Sequence, residues 1–404
     1  MKGERILKAP LARCLIVVLI LSSLAIFASI SAAADPPYNE HLSWDQNDTA
    51  HTMVVSWQTN RSIESVVYYD IVPRGGNPTS YAYSAIGSAH IWPPIGEASG
   101  YVHDVLLTGL SADTTYYYIC GSSSGGYSIE RGFHTAPVGS SLFFFVVGGD
   151  SRSNEVPRRA ISKAMAQKSP RFVLHMGDYM VGDSPSDYME WMDDVNYNWI
   201  TPENLRIPML GCIGNHEGRG SCITAQYAWP LGPAENERWY SLDYGDLHIT
   251  CLSDSYDLVS SQTAWLQADL EAATDKPWKF AFFHEPPYTS GSAKTDVLQQ
   301  WCPLFEQYGV NIVFAGHTHN YERSYPIQGS PNVYSVSDSA NGTTYIVTGG
   351  WGAPLSGVEY GWWTAYSDRR YHYCLVEIQG TTRLVCTEYD ENNVAYDSFQ
   401  INRV

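Results

Sequence analysis

Two regimes of apolar spacing divide the chain. Over residues 35–136, apolar and polar positions alternate in short runs, MVVSW at 53–57, SVVYYD at 65–70, DVLLTGL at 104–110 and TTYYYIC at 114–120, with Gly, Pro and Ser clusters between them. A period of two broken by turn residues predicts a small antiparallel β-sandwich. It is rich in aromatics but brings no His, Asp or Cys set together, so it reads as a support or binding module without catalytic groups. Residues 136–141, APVGSS, read as a linker.

From Leu142 the pattern changes to short, wholly apolar strands alternating with helical spacing over 156–168, 262–273 and 294–308. That alternation is the mark of an α/β or mixed sandwich. Strands return after Tyr345 and end in CLVEI, RLVC and VAYDSFQI, which should close a second sheet over the first. Five apolar runs stop at a polar cluster. LFFFVV meets Gly149-Asp150, RFVLH meets Gly177-Asp178, IPMLG meets Gly214-Asn215-His216-Glu217, WKFAFF meets His284-Glu285, and NIVFA meets Gly316-His317-Thr318-His319. In an extended chain His317 and His319 would share one side, beyond the strand end where open α/β sheets bind ligands.

Composition narrows the picture. The 404 residues are 44% apolar and 13% aromatic, enough for two independent cores. Lys2, Arg5, Lys8 and Arg13 precede an apolar run over 14–30 and then Ala32-Ala33-Ala34, the layout of a secretory signal cleaved before Asp35. The run is nearly long enough to remain as a membrane anchor. The expected location is therefore secreted or cell-surface. A net charge of −18 disfavours a nucleic-acid groove, and removal of the basic leader makes the chain more acidic still. A phosphorylated small-molecule substrate would then need local positive charge, which metal ions can provide. Of eight cysteines, Cys14 falls in the leader and an odd number remains. Cys374 and Cys386 flank 379–381 as hairpin partners would, and Cys212 and Cys222 bracket a short loop, so both pairs are disulfide candidates. Cys120, Cys251 and Cys302 are equally well read as buried thiols.

Asp150, Asp178, Asn215, His284, His317 and His319 form an oxygen-and-nitrogen donor set suited to Fe, Zn or Mn. Their order and their place after apolar strands resemble the calcineurin-like metallophosphoesterase superfamily, and within it the purple acid phosphatases. GHTHNYERS at 316–324, FFHEPPYTSG at 282–291 and TAWLQADL at 263–270 carry the second likeness, and VVSWQT at 54–59 and GLSADTTYYY at 109–118 resemble that group's fibronectin-like N-terminal domain. The resemblance implies a leader over 1–34, a fibronectin type III-like sandwich over 35–136, and over 137–404 an α/β metallophosphoesterase domain of two mixed sheets sandwiched between helices.

The resemblance further implies two metal ions. Asp150, bridging Asp178 and His319 would hold one; Asp178, Asn215, His284 and His317 the other. A hydroxide shared by the ions would attack phosphorus in line, with His216 beside the leaving group. Lowering the pKa of a metal-bound water by roughly 8 units corresponds to about 11 kcal/mol, against about 3–5 kcal/mol from a general acid, so the metals carry most of the chemistry.

Two positions depart from the family pattern. Arg152 stands where many members have a ligating histidine, and a guanidinium cannot bind a cation, so it is expected to hold a phosphate oxygen. Val181 stands where the purple enzymes have their iron-binding tyrosine, while Tyr179 reads as packing. Tyr321, Glu322 and Arg323 are close enough in sequence to orient the histidines, and Tyr288, Trp351, Trp362 and Trp363 are candidates for core or for the substrate mouth. The expected activity is hydrolysis of phosphate monoesters. Phosphodiester or nucleotide cleavage at the same site is an alternative, as is an inactive cell-surface binding protein.

Overall fold

The alternating N-terminal segments pair into two antiparallel sheets. One runs in the order Tyr38–Ser43, Met53–Thr59, Gly100–Leu107, Ser88–Trp92, and the other centres on Val66–Asp70 and Thr115–Ser122. Trp57, Val55, Val105 and Tyr118 are buried in the core of this sandwich. The computed structural model describes residues 34–93, 100–232, 237–255, 258–329, 335–336 and 342–403, so the expected leader lies outside the described residues. Among those described, no helix is long and apolar enough to cross a membrane.

The rest of the chain builds two mixed sheets packed face to face. The first has the order Met209–Gly211, Val173–His175, Leu142–Gly148, His372–Gln379, Arg383–Asp390, Ala395–Asn402, with its first three strands parallel. In the second, Leu247–Cys251, Trp278–Phe282, Ile312–Ala315 and Thr344–Thr348 run parallel. Phe145 from one sheet and Phe280 from the other meet at 5.8 Å between ring centres. Helices α1 (Glu155–Ala166) and α2 (Pro185–Asn198) pack on each other, and α1 lies against the first sheet. On the second, α4 (Val259–Ala272), α5 (Thr295–Gln300) and α6 (Cys302–Gln307) cover an apolar face of Leu266, Phe283, Trp301 and Phe305. A one-turn α3 (Ser221–Thr224) sits between α2 and α4 in the chain.

Three expectations are corrected. The last three strands do not form a separate sheet; they extend the first, because His372–Gln379 pairs antiparallel with Leu142–Gly148. The single helix expected over 294–308 is two, broken at Trp301, since Pro303 has no N–H to continue the ladder. The seven cysteines described are all buried thiols. Cys374 lies opposite Glu388 and Cys386 opposite Val376, so the hairpin register sets the two side by side on a diagonal. Cys222 donates to the Asp183 carbonyl instead of pairing with Cys212.

The sandwich is fastened to the catalytic sheets through large side chains. Trp44 meets Phe172 and Tyr244 edge-on at 6.3 and 5.9 Å, and Trp92 packs on Tyr188 at 5.2 Å while its indole N–H donates to the Cys222 carbonyl. Buried His41 bonds the Gln226 carbonyl at 2.6 Å.

One buried ionic cluster supports the edge of the second sheet. His248 donates from Nδ1 to Asp243 at 2.8 Å and from Nε2 to Asp269 of α4 at 3.0 Å. Burial alone would depress this imidazole, but the two carboxylates push it up to about 9. A raised folded-state pKa adds stability in full below the unfolded value near 6.5 and loses it as pH rises through 9. His248→Asn should lower unfolding free energy by about 3 kcal/mol at pH 6, with the difference shrinking by pH 10. Denaturant melts at the two pH values check this, and an equal deficit at both would refute it.

Candidate metal centre

Each expected site residue follows directly on a strand whose apolar side chains lock its direction. Asp150, Asp178 and Asn215 leave the parallel strands of the first sheet, and His284, His317 and His319 leave those of the second. The site therefore lies where the carboxyl ends of both sheets meet. Ligand atoms of Asp150, Asp178 and His284, all buried, lie within 4.8 Å of one another, a group able to hold a metal ion.

The other expected donors join this nucleus. Asn215 Oδ1 is 2.9 Å from His284 Nε2 and 3.0 Å from His317 Nδ1. His319 Nε2 is 3.4 Å from Asp150 Oδ1. The two carboxylate oxygens of Asp178 face different neighbours, Oδ1 toward His284 Nε2 at 3.3 Å and Oδ2 toward Arg152 Nε at 3.2 Å and His216 Nε2 at 3.8 Å. His317 does not continue the strand: its φ is +64°, so the two histidines of the pair reach different neighbours, Asn215 and Asp150.

Three imidazoles are oriented alike. Nδ1 of His216, His284 and His319 bonds the carbonyls of Val181, Met176 and Pro354 at 2.8, 2.7 and 2.8 Å. A ring that donates from Nδ1 to a carbonyl leaves Nε2 free to accept a metal or a proton. Asp150 Oδ1 is buried with no hydrogen-bond partner. An unsatisfied carboxylate oxygen ringed by pinned imidazoles is a donor set that fits cations such as Zn, Mn or Fe.

The electrostatics agree. Burial would lower the pKa of His284, yet the carboxylates of Asp178, Asp150 and Asp254 push it up to about 9. Asp178 is held below the ordinary carboxylate value: burial opposes this, and His284, His216 and Arg152 overcome it. Burial and then the Asp178 charge push Glu217 up to about 8, and burial drives Asp254 up to about 7.

The glycines of the motifs make room for this crowding. A Cβ on Gly214 would lie 2.2 Å from Asp178 Oδ1, and one on Gly316 would lie 2.5 Å from Asp150 Oδ2.

Several groups play parts that sequence reasoning did not assign. Glu217 accepts from the backbone N–H of Asp178, Gly214 and Met180 at 2.9, 2.9 and 3.2 Å, clamping two site loops together. Asp254, which accepts from the N–H of Glu285 and whose charge acts on His284, follows another apolar strand, and that repeated signal could have found it. Tyr321 and Arg323 do not orient the histidines; both bond Asp397, while Glu322 accepts from Ser290 N and Trp363 Nε1. Tyr288 and Trp351 are core, and Tyr179 is buried, stacked on His175 at 3.9 Å.

Buried carboxylates and oriented imidazoles at the converging strand ends of two stacked mixed sheets define a metal-binding protein of the α/β sandwich class. The family model for the purple acid phosphatase N-terminal domain matches residues 37–135, and that for the calcineurin-like phosphoesterases matches 148–321. The chain thus carries a purple acid phosphatase N-terminal domain followed by a calcineurin-like phosphoesterase domain. It is 28% identical over 374 residues to an acid phosphatase type 7 of Danio rerio, covering 80% of this chain and 78% of that one. The acid phosphatase type 7 of Homo sapiens is 26% identical over 408 residues, covering 91% and 90%. A purple acid phosphatase from yellow lupin (Lupinus luteus) seeds shares the fold, with a TM-score of 0.74 at 21% identity over 91% of this chain and 75% of that chain.

Arg152 spans the two side chains expected to share one ion, since its Nη2 also donates to His319 Nε2 at 3.2 Å. A fixed positive charge there competes with a cation. Replacing it (Arg152→Ala) should slow the loss of one ion to a chelator about tenfold, a magnitude typical of groups contacting metal ligands. Elemental analysis during timed dialysis reads the rate, and faster loss would contradict the competition.

Proposed function

We propose that the protein is an exported phosphomonoesterase working with two metal ions, its catalytic domain spanning 137–404 and a fibronectin type III-like sandwich spanning 35–136. The observation that supports the two-ion reading is a pair of buried carboxylates each beside its own imidazole, Asp178 Oδ1 3.3 Å from His284 Nε2 and Asp150 Oδ1 3.4 Å from His319 Nε2. In this reading Asp150, Asp178 and His319 hold one ion and Asp178, Asn215, His284 and His317 the other. The bound ions would supply Lewis acidity toward the phosphoryl oxygens and an activated water for in-line displacement.

The chain's own residues do the rest. Arg152 offers a planar fork of N–H donors beside Asp178 and turns them to a phosphoryl oxygen when the ester enters. His216, anchored through Nδ1, presents a partly exposed Nε2 that carries the proton needed by the departing alkoxide. Glu217 and the backbone of 177–180 hold the loop of His216 against that of Asp178.

Turnover of p-nitrophenyl phosphate against its bis ester tests the reading: the monoester should be preferred, and faster diester cleavage would reassign the enzyme as a phosphodiesterase. His284→Ala should lose both bound metal and activity. His216→Ala should keep its metal and lose roughly 10²-fold or more in kcat on an alkyl phosphate, with a smaller loss on p-nitrophenyl phosphate, whose leaving group needs no proton. Equal losses on both esters would remove His216 from the acid role.

Val181 is half-exposed and contributes its carbonyl to His216, and Tyr179 lies buried against His175. The metal-loaded protein should therefore show no intense visible tyrosinate band. An absorption spectrum checks this, and a strong purple band would overturn it.

A further inference from the structure

A cavity of about 380 Å³ opens beside His317, lined by Ser290, Ser292, Thr318, Ser356 and Glu359. Its walls are tied together from behind. Buried Asn320 donates to Ser290 Oγ at 3.0 Å and to the Gly357 carbonyl at 2.9 Å, bridging the two loops that face each other. Thr289 Oγ1 bonds Thr318 Oγ1 at 2.9 Å, the Ser290 N–H is held by buried Glu322 at 2.7 Å, and Ser356 N donates to the His319 carbonyl at 2.8 Å. The chamber is thus built on the histidine loop itself, and its volume falls in the range of small-ligand sites.

The lining chemistry is selective. Ser290, Ser292, Thr318 and Ser356 bring hydroxyls to the lining and Glu359 a carboxylate, beside His317 and the apolar Val358, and no Lys or Arg is among the described lining residues. Cations on neighbouring segments are engaged elsewhere: Lys294 with Glu285 at 3.2 Å, Arg369 with the Leu355 carbonyl at 3.3 Å, and Arg152 with Asp178. Hydroxyls and a carboxylate satisfy the O–H groups of a polyol, whereas a second anionic group would meet Glu359 without a counter-charge.

We infer that this cavity takes the alcohol part of the substrate and that the preferred esters are monophosphates of neutral, hydroxyl-rich alcohols, such as sugar or polyol phosphates. The inference rests on the phosphomonoesterase reading above. In the reaction the bond from phosphorus to the alcohol oxygen breaks, a bond to the oxygen of water forms, and a proton passes to the alcohol, leaving a neutral polyol in the chamber and inorganic phosphate at the metals. Discrimination comes from Glu359, which repels an acidic leaving group, and from the serines, which exchange hydrogen bonds with the polyol.

A matched pair of esters tests this. Sorbitol 6-phosphate and 6-phosphogluconate differ by a CH₂OH against a carboxylate at the far end of the chain. The native protein should favour the first at least tenfold in kcat/KM, and Glu359→Lys should cut that ratio at least fivefold. Calorimetric binding of both esters to metal-loaded His216→Ala protein should give the same ranking. Equal use of the two esters, a preference for 6-phosphogluconate, or a ratio unmoved by Glu359→Lys would overturn the inference while leaving the phosphatase reading intact, provided p-nitrophenyl phosphate is hydrolysed. If no ester is turned over, both fall.

Discussion

Two carboxylates, Asp150 and Asp178, are buried side by side, and the rest of the structure is arranged around the problem they pose. Unpaired charge in a protein interior costs several kcal/mol per ion, and like charges a few ångströms apart add to it. The fold meets this with cationic and neutral donors delivered from independent strand ends: Arg152 beside Asp178, His284 and Asn215 beneath, His319 against Asp150. No single segment could supply them all. Parallel strands that end in register, in two sheets stacked on each other, bring side chains about 170 positions apart in sequence into one cage.

The convergence strains the backbone. Asp150, Asp178 and His317 have φ of 58°, 54° and 64°, left-handed values that non-glycine residues avoid, at about 1–3 kcal/mol each. Hydrogen bonds across the site hold them there. The N–H of His317 donates to Asp150 Oδ2 at 2.8 Å, and that of Asp178 donates to Glu217. Such positions persist only where the surroundings over-determine them, and here the surroundings include the sandwich. Trp92 reaches from that domain to the Cys222 carbonyl, and Asp183, five residues after Asp178, accepts from the N–H of Ser221 and Cys222. Trp92 and Asp183 thereby link the N-terminal domain to the segment that directly follows the loop of Asn215 and His216.

The strand ends were legible in the chain because apolar strands that stop at a glycine and a donor are a repeated signal; that signal pointed to Asp150, Asp178, Asn215, His284 and His317, and ligand atoms of Asp150, Asp178 and His284 lie within 4.8 Å of one another. What depends on conformation at one residue was not legible. The positive φ at His317 sends the pair in different directions, and no spacing rule encodes it. Alternation along Tyr321–Ser324 puts Tyr321 and Arg323 toward Asp397 and Glu322 toward the 290 loop, so nearness in sequence to His319 misled. Helix α2 escaped notice although Ser184 caps it and Pro185 opens it, because its acidic residues dilute the apolar stripe of Tyr188, Trp191 and Met192. Glu217 was visible as a letter of a motif, but its three backbone bonds are purely tertiary.

The surroundings of the two buried carboxylates differ. Beside Asp178 Oδ1 stands His284, whose Nδ1 is fixed to the Met176 carbonyl and whose Nε2 meets the Asn215 amide oxygen, which also meets His317 Nδ1. Around Asp150 and His319 the donor set is leaner, since Arg152 and Val181 stand where relatives are expected to place ligands. The guanidinium crosses that half and takes up Asp178 Oδ2 and His319 Nε2. Positive charge missing from one set of ligands is thus returned as a fixed side-chain cation. A cation held by Asp178 and His319 would compete with the guanidinium for the same oxygen and nitrogen atoms.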